Sequence, residues 1–237
     1  MAKIYAGTSG WAYTSWKPKF YPAKLASADF LAYYANRLNS VEVNYSFLHS
    51  LSKELLTEWI VATPAHFMFA VKAPQMITHM KRLRGTKRST RQFISSLSPL
   101  AQAKKLGPIL FQLPPNFKCD PGLLKEFLKE LPRQTRAAFE FRHTSWFIDE
   151  VYGLFGKANL ALCQAESEKL VAPHVQTASF SYLRLRKDNY SVEDCRALAR
   201  RVADLGRRGD VYAYFKHEET PEGPLHAEAL LAETMRK

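Results

Sequence analysis

Glu140 and Arg142 stand two residues apart at the end of an otherwise apolar run, Ala137, Ala138, Phe139 and Phe141, within RAAFEFRHTSWF at 136–147. A run of that length and composition predicts a buried strand, and strand residues two apart share a face. A carboxylate and a guanidinium drawn into a protein interior are costly unless they are paired or put to use. Placed at the exit of a strand, they occupy the position where α/β folds keep reactive groups. The chemistry available is acid–base catalysis by the carboxylate, held ionised by its cation, with the guanidinium gripping a phosphate or carboxylate through paired hydrogen bonds.

Seven further segments read as strands, at 3–8, 40–44, 66–72, 107–112, 160–164, 179–186 and 210–216. In the second, Val41 and Val43 alternate with Glu42 and Asn44; in 179–186, Tyr182, Arg184 and Arg186 share a face. Helical spacing predicts helices at 29–38, 51–62, 92–105 (interrupted by Pro99), 120–131, 192–205 and from Leu225, with a short one near 149–155. Asp120 and Pro121 supply a cap and a first-turn proline. Strands alternating with helices imply parallel βα units, and 237 residues suit a closed barrel, which takes about 250. The expected fold is α/β: a TIM-type (β/α)8 barrel, one domain over 1–237, with irregular or missing helices in its second half. The rival, an open doubly wound sheet, lacks a GxGxxG or GxxxxGK[ST] after any strand.

In a barrel the strand ends converge on one mouth. The catalytic candidates there are Glu140, Glu42 and Arg142, with Glu140 as general acid or base, Arg142 tuning it and Glu42 as second carboxylate. The substrate-binding candidates are Trp11, Asn44, Lys72, Gln112, Arg184 and Lys216, with Arg186, His217 and Glu218 at the same end. Cations and amides in that mixture suit a small anionic substrate, phosphorylated or sugar-like. The same residues also fit a charge-balanced plug with no substrate, or a non-catalytic sensor of the same anion. A glycosidase needs two carboxylates about 5–10 Å apart; Glu42 and Glu140 are candidates, with Trp11, Tyr13, Trp16 and Trp146 as stacking surfaces. His79 and His143 lie in polar loops and are acid–base candidates by residue type, although a lone loop histidine is more often simply solvated. Glu42, Glu140, His217 and Glu218 offer oxygen and nitrogen donors, but no HExxH or paired-His spacing occurs and nearby cations repel a metal. No cofactor is therefore expected, a divalent metal being the lesser reading.

Lys and Arg outnumber Asp and Glu by 34 to 22, a formal charge of +12 that attracts phosphates and nucleic acids. The densest basic stretch, 78–91, carries Lys81, Arg82, Arg84, Lys87, Arg88 and Arg91 around Gly85. It supports the alternative of a nucleic-acid-binding or adaptor protein, although no aromatic residues are interleaved as a stacking platform requires. Cys119, Cys163 and Cys195 are too scattered for a zinc site or a disulfide framework. No apolar run nears the roughly 18 residues of a membrane span, and MAKIYAGTSGW lacks a signal-peptide core. A cytoplasmic protein without a membrane partner is expected; oligomeric state is not encoded in any feature noted.

GTSGW (7–11), VEVNYSF (41–47), FAVK (69–72), THMKRL (78–83), LGPILFQLPP (106–115), EFRHTSWF (140–147) and YAYFKHE (212–218) together resemble the YecE-like family, domain of unknown function 72. The matches run in order over nearly the whole chain. The resemblance implies a TIM-type barrel and no particular reaction. It places the family's polar strand-end residues on Glu42, Asn44, Lys72, Gln112, Glu140 and Arg142. Many members resemble RxHG after strand seven and an FNND-like run after strand eight, where this chain has LRLRKDNY (183–190) and FKHEET (215–220). Arg186, Lys216 and His217 thus depart from the family pattern, as in a subgroup with a different or more anionic ligand.

Overall fold

The apolar runs form eight parallel strands: β1 (Ile4–Thr8), β2 (Ser40–Val43), β3 (Met68–Lys72), β4 (Leu106–Gln112), β5 (Ala137–Glu140), β6 (Ala161–Ala165), β7 (Phe180–Leu185) and β8 (Asp210–Phe215). The computed structural model describes residues 2–166, 170–187, 190–216 and 220–235. The strands hydrogen-bond in the order β1-β8-β7-β6-β5-β4-β3-β2, which brings β2 back beside β1 in a nearly closed TIM-type (β/α)8 barrel. Helices α1 (Phe30–Arg37), α2 (Lys53–Val61), α3 (Lys87–Ser96), α4 (Ser98–Gln102), α5 (Pro121–Glu130), α6 (Asp149–Ala158), α7 (Val192–Gly206) and α8 (Glu222–Met235) occupy the connections.

Alternation along each strand divides the core in two. Outward residues such as Val41, Phe69, Phe111, Phe139 and Leu183 pack beneath the helices. Inward residues fill the barrel, large rings on one side (Tyr5, Phe180, Tyr182, Tyr212, Tyr214) against Ala70, Ala138, Ala161, Cys163 and Ala165 on the other. Matching large with small across the interior is what filling it to native density demands. The N-terminal end is sealed by Arg136, which donates to Asp210 at 3.1 Å and to the Tyr212 hydroxyl at 3.0 Å. The opposite, C-terminal end is where the polar inward residues gather.

The β1–β2 junction has almost no backbone ladder, and two side chains stitch it instead. Asn39 accepts from the Ala6 amide at 2.9 Å and donates to the Ile4 carbonyl at 2.8 Å. The Tyr34 hydroxyl accepts from the Thr8 amide at 2.8 Å and donates to the Ser40 carbonyl at 3.0 Å. Near the mouth the Gly10 amide then reaches the Glu42 carbonyl at 2.9 Å. Gly7 permits this closeness, since a Cβ there would lie 1.8 Å from the Ser40 carbonyl oxygen.

Two sequence expectations change in detail. The helix expected at 92–105 starts earlier, at Lys87, and divides at Leu97 into α3 and α4, Pro99 opening the second. Three of the six cations of the basic stretch, Lys87, Arg88 and Arg91, are therefore on α3. The second-half irregularity is confined, among the described residues, to the β6–β7 connection, which has no helix; α6 is a full ten residues long.

Because a methyl group at position 7 collides with backbone, Gly7→Ala should destabilise the protein by roughly 3 kcal/mol. Gly153→Ala, in the exposed middle of α6 with open space around it, should stabilise by about 0.8 kcal/mol through helix propensity. Urea unfolding midpoints of the two variants give the comparison directly, and equal effects would remove the close-approach account of Gly7.

Candidate functional site at the barrel mouth

Period-two alternation delivers Glu42, Lys72, Gln112, Glu140 and Arg184 inward from the ends of β2, β3, β4, β5 and β7, and all five are buried. Arg184, 1% exposed, joins the two glutamates. Its Nε and Nη2 donate to Glu42 Oε1 at 3.2 and 2.8 Å, and its Nη1 donates to Glu140 Oε2 at 2.5 Å. Glu42 also accepts from the Ser9 hydroxyl and the Tyr182 hydroxyl, each at 2.7 Å. Glu140 accepts from Gln112 Nε2 at 3.0 Å, while Arg186 Nη2 and Arg142 Nε stand 3.5 and 3.9 Å from its other oxygen.

Burial alone would raise both carboxyl pKa values. The Arg184 charge and the hydrogen bonds outweigh it, so Glu42 lies below the usual carboxylate range and Glu140 falls to about 2. The same neighbourhood acts oppositely on Lys72. Burial, then the Arg184 charge, lowers its ammonium to about 8 in spite of Glu42 and Glu140. Its Nζ lies 4.0 Å from the centre of the Phe47 ring and, among the described residues, has no hydrogen-bond or ion-pair partner. His79 packs edge-on to the same ring at 5.0 Å, its Nδ1 2.9 Å from the Thr78 hydroxyl. Burial, with Lys72 and Arg142 nearby, pushes His79 down and keeps it neutral at neutral pH.

The cluster therefore sets two carboxylates against Arg142, Arg184, Arg186 and Lys72. Arg186 Nε is buried without a partner. An excess of positive charge with unsatisfied donors can attract and orient an anion. Neither glutamate is placed to donate a proton, because both are held ionised.

The structure joins Glu42, Gln112, Glu140 and Arg184 in one hydrogen-bonded network with Lys72 beside it but unbonded, and Arg142, 39% exposed at its edge, is a more distant neighbour of Glu140 than Arg184 or Arg186. Trp11 and Asn44 lie apart from that network. They line an aromatic cavity of about 500 Å³ with Tyr13, Tyr45 and Trp59, and Asn44 Oδ1 is buried there without a partner. Lys216 is exposed beyond β8, and His217 and Glu218 fall outside the described residues. Trp16 and Trp146 are fully buried packing residues, stacked on Tyr21 and Phe141, so the aromatic set considered for a sugar is not assembled. His143 is spent on the Ser145 turn at 2.8 Å. Among the described residues no group of three or more His, Cys, Asp or Glu could hold a metal ion. Sequence spacing missed Ser9, Tyr182 and Phe47 as site members; of these only Tyr182, in phase with Arg184, carried a signal.

The basic stretch packs beside the mouth after β3. Leu83 is buried and its amide donates to the Ile77 carbonyl at 2.9 Å, which pins the loop, while Arg82, Leu83 and Gly85 take left-handed backbone angles. Lys81, Arg84, Lys87, Arg88 and Arg91 remain exposed, Arg84 pairing with Asp120 at 3.1 Å. No helix among the described residues is long and apolar enough to cross a membrane.

Comparison with known proteins gives relatives of the same kind and no reaction. The UPF0759 protein YunF of Bacillus subtilis is 32% identical over 155 residues, 63% of this chain and 54% of that protein. The UPF0759 protein YecE of Escherichia coli is 32% identical over 146 residues, 61% of this chain and 50% of that protein. The aligned part of the chain thus spans about half the length of these relatives. A DUF72 protein of Thermotoga maritima superposes with a TM-score of 0.82 at 27% identity, covering 99% of both chains. One from Enterococcus faecalis shares the fold with a TM-score of 0.84 at 17% identity, over 98% of this chain and 95% of its own. The family model "Protein of unknown function DUF72" matches residues 5–237, and the chain belongs to that family.

Proposed function

We propose that the barrel mouth binds a small anionic metabolite and acts on it, with the two glutamates as an electrostatic frame rather than as the proton carriers. One observation carries this reading. Both carboxylates are already engaged by Arg184, while the Arg186 Nε is a buried donor without a hydrogen-bond partner and the ammonium of the largely buried Lys72 side chain has none among the described residues. Buried unsatisfied cationic donors are expensive in an empty protein, and an anionic ligand removes that cost. Arg142, Arg186 and Lys72 grip the anion, Gln112 stays with Glu140, and Lys72, its ammonium lowered to about 8, suits proton transfer near neutrality, with His79 on the same Phe47 ring. Acid–base work by Glu140, the simpler expectation from its position, is disfavoured by a carboxyl pKa of about 2.

A second reading rests on the exposed row Lys81, Arg84, Lys87, Arg88 and Arg91 beside the mouth: a nucleic-acid or adaptor surface. It requires affinity for oligonucleotides that falls steeply with salt and is lost when Lys81, Lys87 and Arg88 are neutralised together. Binding unchanged by that triple substitution would remove it.

Thermal unfolding against inorganic phosphate, glycerol 3-phosphate, lactate and citrate at fixed ionic strength tests the first reading. An anion present at 100 times its dissociation constant should add about 2.7 kcal/mol of stability, and Arg186→Met should abolish the gain. Stabilisation that survives Arg186→Met would place the anion elsewhere.

The frame has its own pH signature. The Glu140 carboxyl drops from its ordinary 4.5 to about 2 in the folded protein, so its stabilisation is complete above about pH 4.5 and fades as pH falls towards 2. That contribution is roughly 3 kcal/mol. Glu140→Gln should lower stability at pH 7 by a similar amount and flatten the acid limb of the stability curve, read from urea midpoints between pH 2 and 7. An unchanged acid limb would mean that Glu140 is not held ionised in this network.

A further inference from the structure

The chain buries two lysines in contrasting ways. Lys105, 4% exposed, donates to the Ile60 carbonyl at 2.8 Å, the Thr63 carbonyl at 2.6 Å and the Thr63 hydroxyl at 2.7 Å, closing the C-terminus of α2. All three ammonium donors are used, which explains its burial as structural. Lys72, 9% exposed, has no such partner among the described residues. Its surroundings are a ring face, His79, two carboxylates committed to another cation, and the guanidinium groups of Arg184 and Arg186. A structural lysine is not left this way, because an unmatched buried ammonium costs more than a methionine of the same shape. Desolvation beside other cations is, however, how an amine is made available in its neutral, nucleophilic form at neutral pH.

Resting on the anion-binding reading above, we infer that the Lys72 amine condenses with the carbonyl group of a small anionic aldehyde or ketone, a 2-oxo acid or a phosphorylated carbonyl compound, to form a Schiff base. The neutral Nζ lone pair forms a bond to the carbonyl carbon. The carbonyl π pair moves to oxygen, which takes a proton, and Nζ loses one, giving a carbinolamine. Protonation of its hydroxyl then releases water as the nitrogen lone pair forms the C=N bond. The sum is amine plus carbonyl plus one proton giving iminium plus water, with no oxidant or reductant. Neutral His79 is available to carry protons in these steps, and Arg186 and Arg142 hold the anionic group. Glu42 and Glu140 offset the positive charge of the iminium without leaving Arg184. Such an iminium draws electrons from the neighbouring carbon, which would narrow the reaction class to lyase or isomerase chemistry.

The test is reductive trapping on the unmodified protein, so no variant has to fold. The protein is incubated at pH 7 with pyruvate, glyoxylate or dihydroxyacetone phosphate and cyanoborohydride, and adducts are located by peptide mass mapping. Reduction fixes the adduct as a secondary amine whose mass gain equals the carbonyl compound less one oxygen atom. From the fraction of neutral amine alone, Lys72 should be labelled on the order of a hundredfold faster than an ordinary exposed lysine. Labelling should saturate with concentration and be suppressed by the unreactive analogue, lactate for the 2-oxo acids and glycerol 3-phosphate for the phosphorylated ketone. Whichever pair works identifies carboxylate or phosphate as the anchoring group. Adducts spread over exposed lysines such as Lys81 and Lys87, with Lys72 unmodified, would overturn the inference. Stabilisation by lactate or glycerol 3-phosphate without trapping would overturn it while leaving the anion site standing. Failure of every anion to stabilise or to protect would overturn both.

Discussion

Arg184 is the group on which the mouth of this barrel depends. A guanidinium at 1% exposure survives only with full compensation, and it finds that in carboxylates from β2 and β5, far from β7 along the chain. The arrangement ties three strands together at one level of the barrel. A one-residue slip of any of them would turn its charge outward into the helix layer, so the network specifies register as well as electrostatics. It also determines what is left over. With both glutamates committed to Arg184, Arg186 and Arg142 share only the second oxygen of Glu140, at 3.5 and 3.9 Å, and Lys72 has no ion-pair partner among the described residues.

Much of this was legible in local spacing, and the limits are instructive. The alternation of Val41 and Val43 with Glu42 separates outward from inward residues on β2, whereas Asn44 lies past the strand's end and apart from the network; Tyr182 and Arg184 face inward together on β7. Eight strand patterns were enough for the barrel. The Glu140–Arg142 pairing was the natural inference from one segment, but β5 ends at Glu140 and Arg142 sits in the following loop, 39% exposed. The stronger partner lies 44 residues away. No period in a sequence reports which distant strand supplies a counter-charge; that follows only from barrel closure. Phe47 and Ser9 were hidden for the same reason, since each comes from a loop whose path no repeat predicts. Trp16 and Trp146 show the opposite error, where residues able to stack on a ligand are used for packing instead.

The overall charge and the local charge act at different ranges. The exposed cations of the 78–91 segment raise the potential around the mouth and would hasten the arrival of an anion, an effect that salt weakens. The buried cations within are shielded from salt by the barrel wall. They would govern how long an anion stays and how it is oriented. On the proposed anion-binding reading, the basic surface would attract and the basic pocket would select.

The seam between β1 and β2 has a consequence for how the barrel is inherited. Along the other interfaces, closure is written in backbone amides, which every sequence possesses. Here it is written in the carboxamide of Asn39 and the phenol of Tyr34, with room made by Gly7. The wall that carries Ser9 and Glu42 to their meeting at the mouth is held shut by residue identity, so at this one place a point substitution can do what elsewhere would require a change of topology.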